Sequence, residues 1–268
     1  MSDVAAVNGT RLYYEVAGRG VPVVLVHGLG LDTRMWDGQF DVLAERYRVI
    51  RYDLRGFGKS ALPTEERFGH ADDLRALLDY LEAPQAHVLG LSMGGRIALH
   101  HALLYPDATL SLVLVDAALD GFKWSERWKA SLDAIAEHAQ RAGANAANQM
   151  WFEHELFAPA REQPDCRAKL AQIVADDSGW NWLNESRSRG IKPAAAARLN
   201  EVRAPTLVIV GDRDLPDFQR IAERLSHGIP SARKAVMNGV GHMSNMENAQ
   251  EFNSIVLSFL EGTESVPQ

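Results

Sequence analysis

The chain has 268 residues, 46% hydrophobic and 24% charged, with a formal net charge of −7. That length accommodates one large domain, or a domain carrying an insertion, and the acidic balance speaks against nucleic acid or an anionic membrane surface as the main partner. The single cysteine, Cys166, excludes an internal disulfide framework and a cysteine-based zinc site.

Residues 1–6 have neither the basic nor the apolar stretch of a secretory signal. No apolar run nears the ~20 residues that span a bilayer, so a cytoplasmic protein is expected. Residues 12–16 read as a strand behind the turn Asn8-Gly9. Residues 23–26 form a continuous apolar run, the pattern of a strand buried on both faces. Similar runs follow at 47–52, 87–91, 110–115 and 206–210. Between them, Ala71, Leu74, Leu77, Leu78 and Leu81 share one helical face. Ile97, Ala98 and Ala102 continue a helix from Gly94 towards Tyr105-Pro106, and Phe252, Ile255, Val256 and Phe259 make a closing helix. Strand and helix alternating in this way predict an α/β architecture, a mostly parallel sheet with helices on both faces.

The alternation breaks over residues 119–202. This stretch is helical, Ala-rich and polar, and holds five of the six tryptophans: Trp124, Trp128, Trp151, Trp180 and Trp182. It is expected to be a helical insertion in a core made of residues 1–118 and 203–268. The tryptophans serve first as the insertion's own core, because a small helical unit needs large side chains to bury enough area.

Gly90-Leu91-Ser92-Met93-Gly94 places Ser92 where a strand-like run turns into a helix. Flanking glycines are needed where such a turn forces neighbouring backbone close together. A serine hydroxyl is a poor nucleophile until a base takes its proton. His242, in the glycine-rich loop Gly239-Val240-Gly241-His242 ahead of the last helix, is the best placed of the nine histidines. The histidine needs an acid to fix its tautomer. Asp214, one short loop after the 206–210 strand, is favoured, with Asp212 beside it and Asp116 at the end of the 110–115 strand as rivals. A tetrahedral intermediate needs preorganised donors. The Met93 N–H and, from His27-Gly28-Leu29-Gly30, the Leu29 N–H are the candidates, with Gly28 and Gly30 letting that backbone approach the substrate. Gly56-Phe57-Gly58-Lys59-Ser60 looks like the end of a phosphate-binding loop, but Asp53 stands where the pattern needs glycine and Pro63 stops any helix. No His-Glu-x-x-His pattern occurs, so a metalloprotease reading has no support, and with no ligand cluster or nucleotide motif no cofactor is expected.

These residues, in this order, give the chain its resemblance to the α/β-hydrolase-fold family, from about Asn8 to Leu260. Asp53-Leu54-Arg55-Gly56-Phe57-Gly58-Lys59-Ser60 is similar to the family's turn after the fourth strand. The resemblance implies an eight-stranded, mostly parallel sheet with an antiparallel second strand and a helical cap after the sixth. It maps the family's nucleophile, acid and histidine onto Ser92, Asp214 and His242. His-Gly-Leu-Gly, Leu-Ser-Met-Gly-Gly and Gly-His-Met look most like bacterial carboxylesterases and the 3-oxoadipate enol-lactonase group. The chain departs from many relatives in placing Pro216 only two positions after Asp214.

The expected activity is cofactor-free hydrolysis of carboxylic esters or lactones through an acyl-enzyme, with a small molecule as partner. Carbon–carbon bond hydrolysis of ring-cleavage products, perhydrolysis, and slow-turnover ligand reception on the same fold are the alternatives. Trp36, just after the oxyanion loop, with Trp124 and Trp151, is expected to line an aromatic pocket favouring uncharged substrates of medium size. The oligomeric state, monomer or homodimer, is left open.

Overall fold

Eight strands make one sheet: β1 (Ser2–Val7), β2 (Thr10–Ala17), β3 (Pro22–Val26), β4 (Arg48–Tyr52), β5 (Ala86–Leu91), β6 (Thr109–Val115), β7 (Thr206–Gly211) and β8 (Ala232–Met237). Their spatial order in this computed structural model, which describes residues 1–264, is β1-β2-β4-β3-β5-β6-β7-β8. Only β2 runs against its neighbours; from β4 to β8 every pairing is parallel. The β1–β2 hairpin turns through Asn8 and Gly9, at φ 46° and 69°. Both are left-handed, as a two-residue hairpin turn requires. β1 itself has no clear strand signal: its pattern is mostly exposed, with only Ala5 fully buried.

Parallel strands need crossovers, and helices supply them. In chain order these are α1 (Asp37–Ala44), α2 (His70–Tyr80) and α3 (Met93–Leu104). Between β6 and β7 come α4 (Glu126–Ala142), α5 (Ala144–Phe152), α6 (Ala158–Glu162), α7 (Pro164–Asp176) and α8 (Trp180–Leu183). The chain then adds α9 (Pro216–Gly228), α10 (Ser244–Glu247) and α11 (Ala249–Glu264).

The period-2 alternation of each strand divides the core in two. Val24, Val26, Ile50, Val88, Leu112, Leu114 and Val208 face one side, where they pack with Leu74, Leu77 and Leu78 of α2, Ile97 of α3 and Ile221 of α9. Val23, Leu25, Val49, Leu89, Val113, Val115 and Ile209 face the other, with Leu43 of α1, Phe252 and Val256 of α11, and the α4–α8 residues Ile135, Trp151 and Leu170. Being apolar on both faces, the central strands are rigid posts, and their carboxyl ends carry the loops that follow. The α4–α8 segment is tied to those loops by the exposed bidentate pair Arg213–Glu162 (2.7 and 2.8 Å) and by Arg34–Asp176 (2.7 Å). Among the described residues no helix is long and apolar enough to cross a membrane.

Candidate active site

Ser92 leaves β5 at φ 57°, ψ −115°, a left-handed conformation that a non-glycine residue adopts only when its surroundings impose it. Its N–H donates to the Val115 carbonyl (2.9 Å), and its own carbonyl accepts from Arg96 N–H (3.1 Å) and Ala118 N–H (3.0 Å). The neighbouring backbone closes around it. A Cβ on Gly90 would lie 2.2 Å from the Gly94 carbonyl oxygen, and one on Gly94 would lie 2.1 Å from that of Val26. The half-buried serine is thereby lifted onto a sharp turn at the carboxyl end of the sheet. Met93, the first residue of α3, presents an N–H that the helix cannot pair internally.

His242 follows β8 and is buried. Its Nδ1 lies 2.9 Å from Asp214 Oδ2, and the other Asp214 oxygen accepts from Leu215 N–H (2.7 Å). The opposite ring nitrogen, Nε2, is buried and has no hydrogen-bond partner among the described residues. Burial is the main influence on the imidazole and lowers it to about 4, against the pull of Asp116 and Glu247. The ring is therefore neutral at physiological pH, with Nε2 free to take a proton. Glu247 holds the loop: one of its oxygens accepts from Gly241 N–H (2.6 Å) and the other from Met243 N–H (3.0 Å), so that it brackets the histidine. The Phe218 ring packs 4.3 Å from the imidazole.

The rival acids take other parts. Asp212 accepts from Gly239 N–H (2.7 Å) and shapes the turn. Asp116 is fully buried, accepting from Gly211 N–H (2.9 Å) and from the Ser244 hydroxyl (2.7 Å). Asp116, Asp214 and His242 each place a donor atom within 4.8 Å of the others. Each carboxylate of the trio accepts two hydrogen bonds, Asp116 from Gly211 and Ser244, and Asp214 from His242 and Leu215. Burial pushes the Asp116 carboxyl well up, and the nearby Asp214 raises it further. Two adjacent buried carboxyls cannot both stay ionised. Burial pushes the Asp214 carboxyl up as well, but the Leu215 N–H and a hydrogen bond with Asp116 pull it back, so Asp214, facing Nδ1 of the imidazole, is placed to hold the charge and Asp116 the proton.

The loop after β3 completes the setting. His27 accepts from Leu54 N–H at Nε2 (2.9 Å), with Nδ1 2.8 Å from the Gly28 carbonyl, so it staples the loop. A Cβ on Gly28 would reach 3.5 Å from the Ser92 Cβ, which puts this glycine directly beside the serine. Leu29 is held through its carbonyl by the Trp151 indole N–H (3.3 Å), and that indole lies against Gly30. Trp124 stacks on Trp128 (5.3 Å), and both touch Phe218, the residue against His242. Trp36 is different. It is fully buried and packs on Phe252 of α11 (6.3 Å), so the structure gives it a core position instead of the expected pocket wall. Asp53 accepts from Thr33 and Lys59 N–H groups (2.8 Å each) and serves as the hub of its turn.

Sequence reasoning passed over Glu247 and Phe218. A lone acid five residues after the histidine has no motif, and Phe218 reads as an ordinary helix residue. Only the closure of the 239–247 loop shows what each touches.

Comparison with known proteins agrees with this arrangement. A family model for the alpha/beta hydrolase fold matches residues 21–249. A protein of Azorhizobium caulinodans named as a carbamate hydrolase, RutD, is 30% identical over 92% of this chain and 94% of its own length. The crystal structure of an enol-lactonase from Burkholderia xenovorans superposes with a TM-score of 0.84 at 27% identity, covering 97% of this chain and all of that one. An esterase from Exiguobacterium antarcticum superposes at 0.82 with 26% identity, over 96% and 98% of the two chains. A single eight-stranded sheet, a serine on the β5–α3 turn and a family match over most of the length together place this chain in the α/β-hydrolase fold family.

Proposed function

We propose that the protein is a serine hydrolase of carboxylic esters or lactones. The observation that carries this reading is the His242 imidazole, fixed at Nδ1 by Asp214 and left unpartnered at Nε2 among the described residues, at the same carboxyl end of the sheet as the strained Ser92. In the reaction, His242 takes the Ser92 proton as the serine oxygen attacks the carbonyl. The oxyanion is met by the N–H groups of Met93 and Leu29. His242 then protonates the leaving alkoxide and activates water to release the acid. Asp214 keeps the tautomer and steadies the imidazolium.

The α4–α8 segment acts as the cap of this site. A cavity of about 310 Å³ opens beside Leu215, walled by Trp128, Ser125 and Asp217. Gly28, Trp124 and Trp151 border the substrate. Hydrolysis of p-nitrophenyl acetate, butyrate and octanoate by the native chain, set against Ser92→Ala, tests the reading. Serine-dependent turnover is expected; full activity in a clean Ser92→Ala preparation would refute it.

A further inference from the structure

The first turn of α9 begins directly behind the acid loop, and consecutive residues of it reach in different directions. Gln219 donates from Nε2 to the Asp212 and Asp214 carbonyls (2.8 and 3.0 Å) and so holds the acid loop. Phe218 lays its ring against the His242 imidazole. Asp217 turns towards the inserted segment. Its Oδ2 accepts from the Ser125 hydroxyl (2.6 Å) and more weakly from the Ser125 N–H (3.3 Å), across 92 positions of the chain. Its other oxygen accepts from Arg220 on the same helix.

An acid in the first turn of a helix is ordinary, because it suits the helix dipole. This one is only 4% exposed and is bonded to a second helix. A carboxylate taken out of water must replace its hydration with fixed donors, and the hydrogen bonds it accepts are stronger than those between neutral groups. Ser125 is the N-cap of α4: its Oγ accepts from Trp128 N–H (3.2 Å) while its own proton goes to Asp217.

Trp124 and Trp128 flank that serine in the chain. Their rings stack, 24° from parallel, and each lies 5.3 Å from the Phe218 ring. The contacts close a circuit, from Asp217 through Ser125 to the tryptophans and from these to Phe218, the residue next to Asp217. His242 touches the circuit at Phe218. Apolar stacking by itself is non-directional and lets rings slide. Nor does packing press the circuit shut from outside, since Ser125, Trp128 and Asp217 border the cavity of about 310 Å³. The directional bonds between Asp217 and Ser125 are what fix the tryptophan pair relative to His242.

We propose that Asp217 is a positioning residue: through Ser125 it fixes the Trp124–Trp128 wall against Phe218, and that wall selects for the length of the substrate's apolar limb. The proposal rests on the hydrolase reading of Ser92 and adds a determinant of specificity to it. A long acyl chain needs a fixed wall to lie against, whereas a two-carbon acyl group has little surface to offer one.

The test is the ratio of kcat/KM for p-nitrophenyl octanoate to that for the acetate. Asp217→Ala should lower it about tenfold, chiefly through the KM for octanoate, the worth of about one hydrogen bond to a charged group. Asp217→Asn, whose amide oxygen still accepts from Ser125, should recover most of it. Arg220→Ala, which removes only the solvent-side partner, should leave it within about twofold. Ser125→Ala removes the same bond together with the α4 cap, so it should lower the ratio at least as much, and adding Asp217→Ala to it should lower the ratio no further. The near-ultraviolet circular dichroism of the stacked tryptophans should weaken in Asp217→Ala and return in Asp217→Asn. A lower melting temperature with an unchanged ratio would make the contact purely structural and overturns the proposal; so do losses that add in the double variant. Calorimetry gives a readout without turnover: octanoate should bind Ser92→Ala about fivefold more tightly than Ser92→Ala/Asp217→Ala. If the native chain hydrolyses neither ester, the hydrolase reading fails, while equal octanoate binding by those two variants would overturn the role of Asp217 by itself.

Discussion

Gly94→Ala puts two opposed effects on one atom. Gly94 lies in the first turn of α3 with ordinary helical backbone, and alanine is favoured over glycine in a helix by about 1 kcal/mol. On local propensity the change should stabilise. The added Cβ, however, would sit 2.1 Å from the Val26 carbonyl oxygen and 2.6 Å from that of His27. Both are backbone atoms at the end of β3, a strand buried on both faces and paired on both edges, so they cannot yield. Relief requires α3 to back away by about 1 Å, taking the Met93 N–H and the Ser92 turn with it. Overpacking of this kind costs roughly 1–3 kcal/mol, which outweighs the propensity gain. A net loss of up to about 2 kcal/mol lowers the melting temperature of a chain this size by up to roughly 4–8 °C. A misplacement of about 1 Å at reacting groups costs about 10²-fold in rate. The assays are thermal melting by circular dichroism and kcat/KM on p-nitrophenyl butyrate. Gly28→Ala is the comparison: its Cβ would meet only side chains, Leu31 Cδ1 at 3.3 Å and Ser92 Cβ at 3.5 Å, so it should cost under about 1 kcal/mol in stability while still slowing turnover. Gly94→Ala melting within 1 °C of native and turning over within about twofold would refute the argument.

Asp214→Asn should reduce kcat by roughly 10³-fold or more, because the amide cannot steady the imidazolium; Asp116→Asn should cost about tenfold, and the reverse ranking would move the acid to β6. Glu247→Gln turns an amide NH₂ towards either Gly241 N–H or Met243 N–H. A loss of about 1–3 kcal/mol in urea unfolding and a drop in kcat are expected, and unchanged values would show that the bracket is dispensable. His242 is lowered by burial to about 4, so Ser92-dependent hydrolysis should stay level from pH 8 to about 5 and fall tenfold per pH unit below about 4. The same shift makes the folded state bind fewer protons than the unfolded one between those values, so stability falls as pH drops from 6.5 towards 4; an activity loss centred at 6.5 would contradict the burial. Trp151→Phe removes the indole N–H from the Leu29 carbonyl and leaves part of a buried ring site empty, so it should slow turnover by roughly 3–10-fold and cost about 1–2 kcal/mol in urea unfolding; unchanged values for both would contradict its packing on Trp128, Phe157 and Trp182.

Much of the scaffold was legible because the central strands are apolar on both faces and carry short, dense runs such as Val23-Val24-Leu25-Val26. The elbow was legible for a related reason: its glycines are required by backbone contacts that any strand–turn–helix of this shape must make. β1 was not, because an edge strand with one fully buried residue leaves no pattern to read. Nor was α9, whose apolar residues Phe218, Ile221, Ala222 and Leu225 sit among charged ones directly after the acid loop. At the site, the placement of Ser92 after β5, Asp214 after β7 and His242 after β8 could be read from chain order, and contacts that depend on loop closure could not. Trp36 shows the difference. Its place after the 27–30 loop suggested a pocket wall, but α11, more than two hundred residues later in the chain, covers it with Phe252.

The contact between Gly241 and Pro159 reaches beyond geometry. A Cβ on Gly241 would come within 2.6 Å of the Pro159 ring, so the residue just before the histidine is pressed against the helical segment inserted after β6. In such an architecture that segment looks like an exchangeable module, to be swapped when a new specificity is wanted. Here the swap would also release one wall of the packing around His242. Grafting a foreign helical segment onto this core should therefore change how fast the enzyme works as well as what it accepts, unless the graft brings a proline to the same spot.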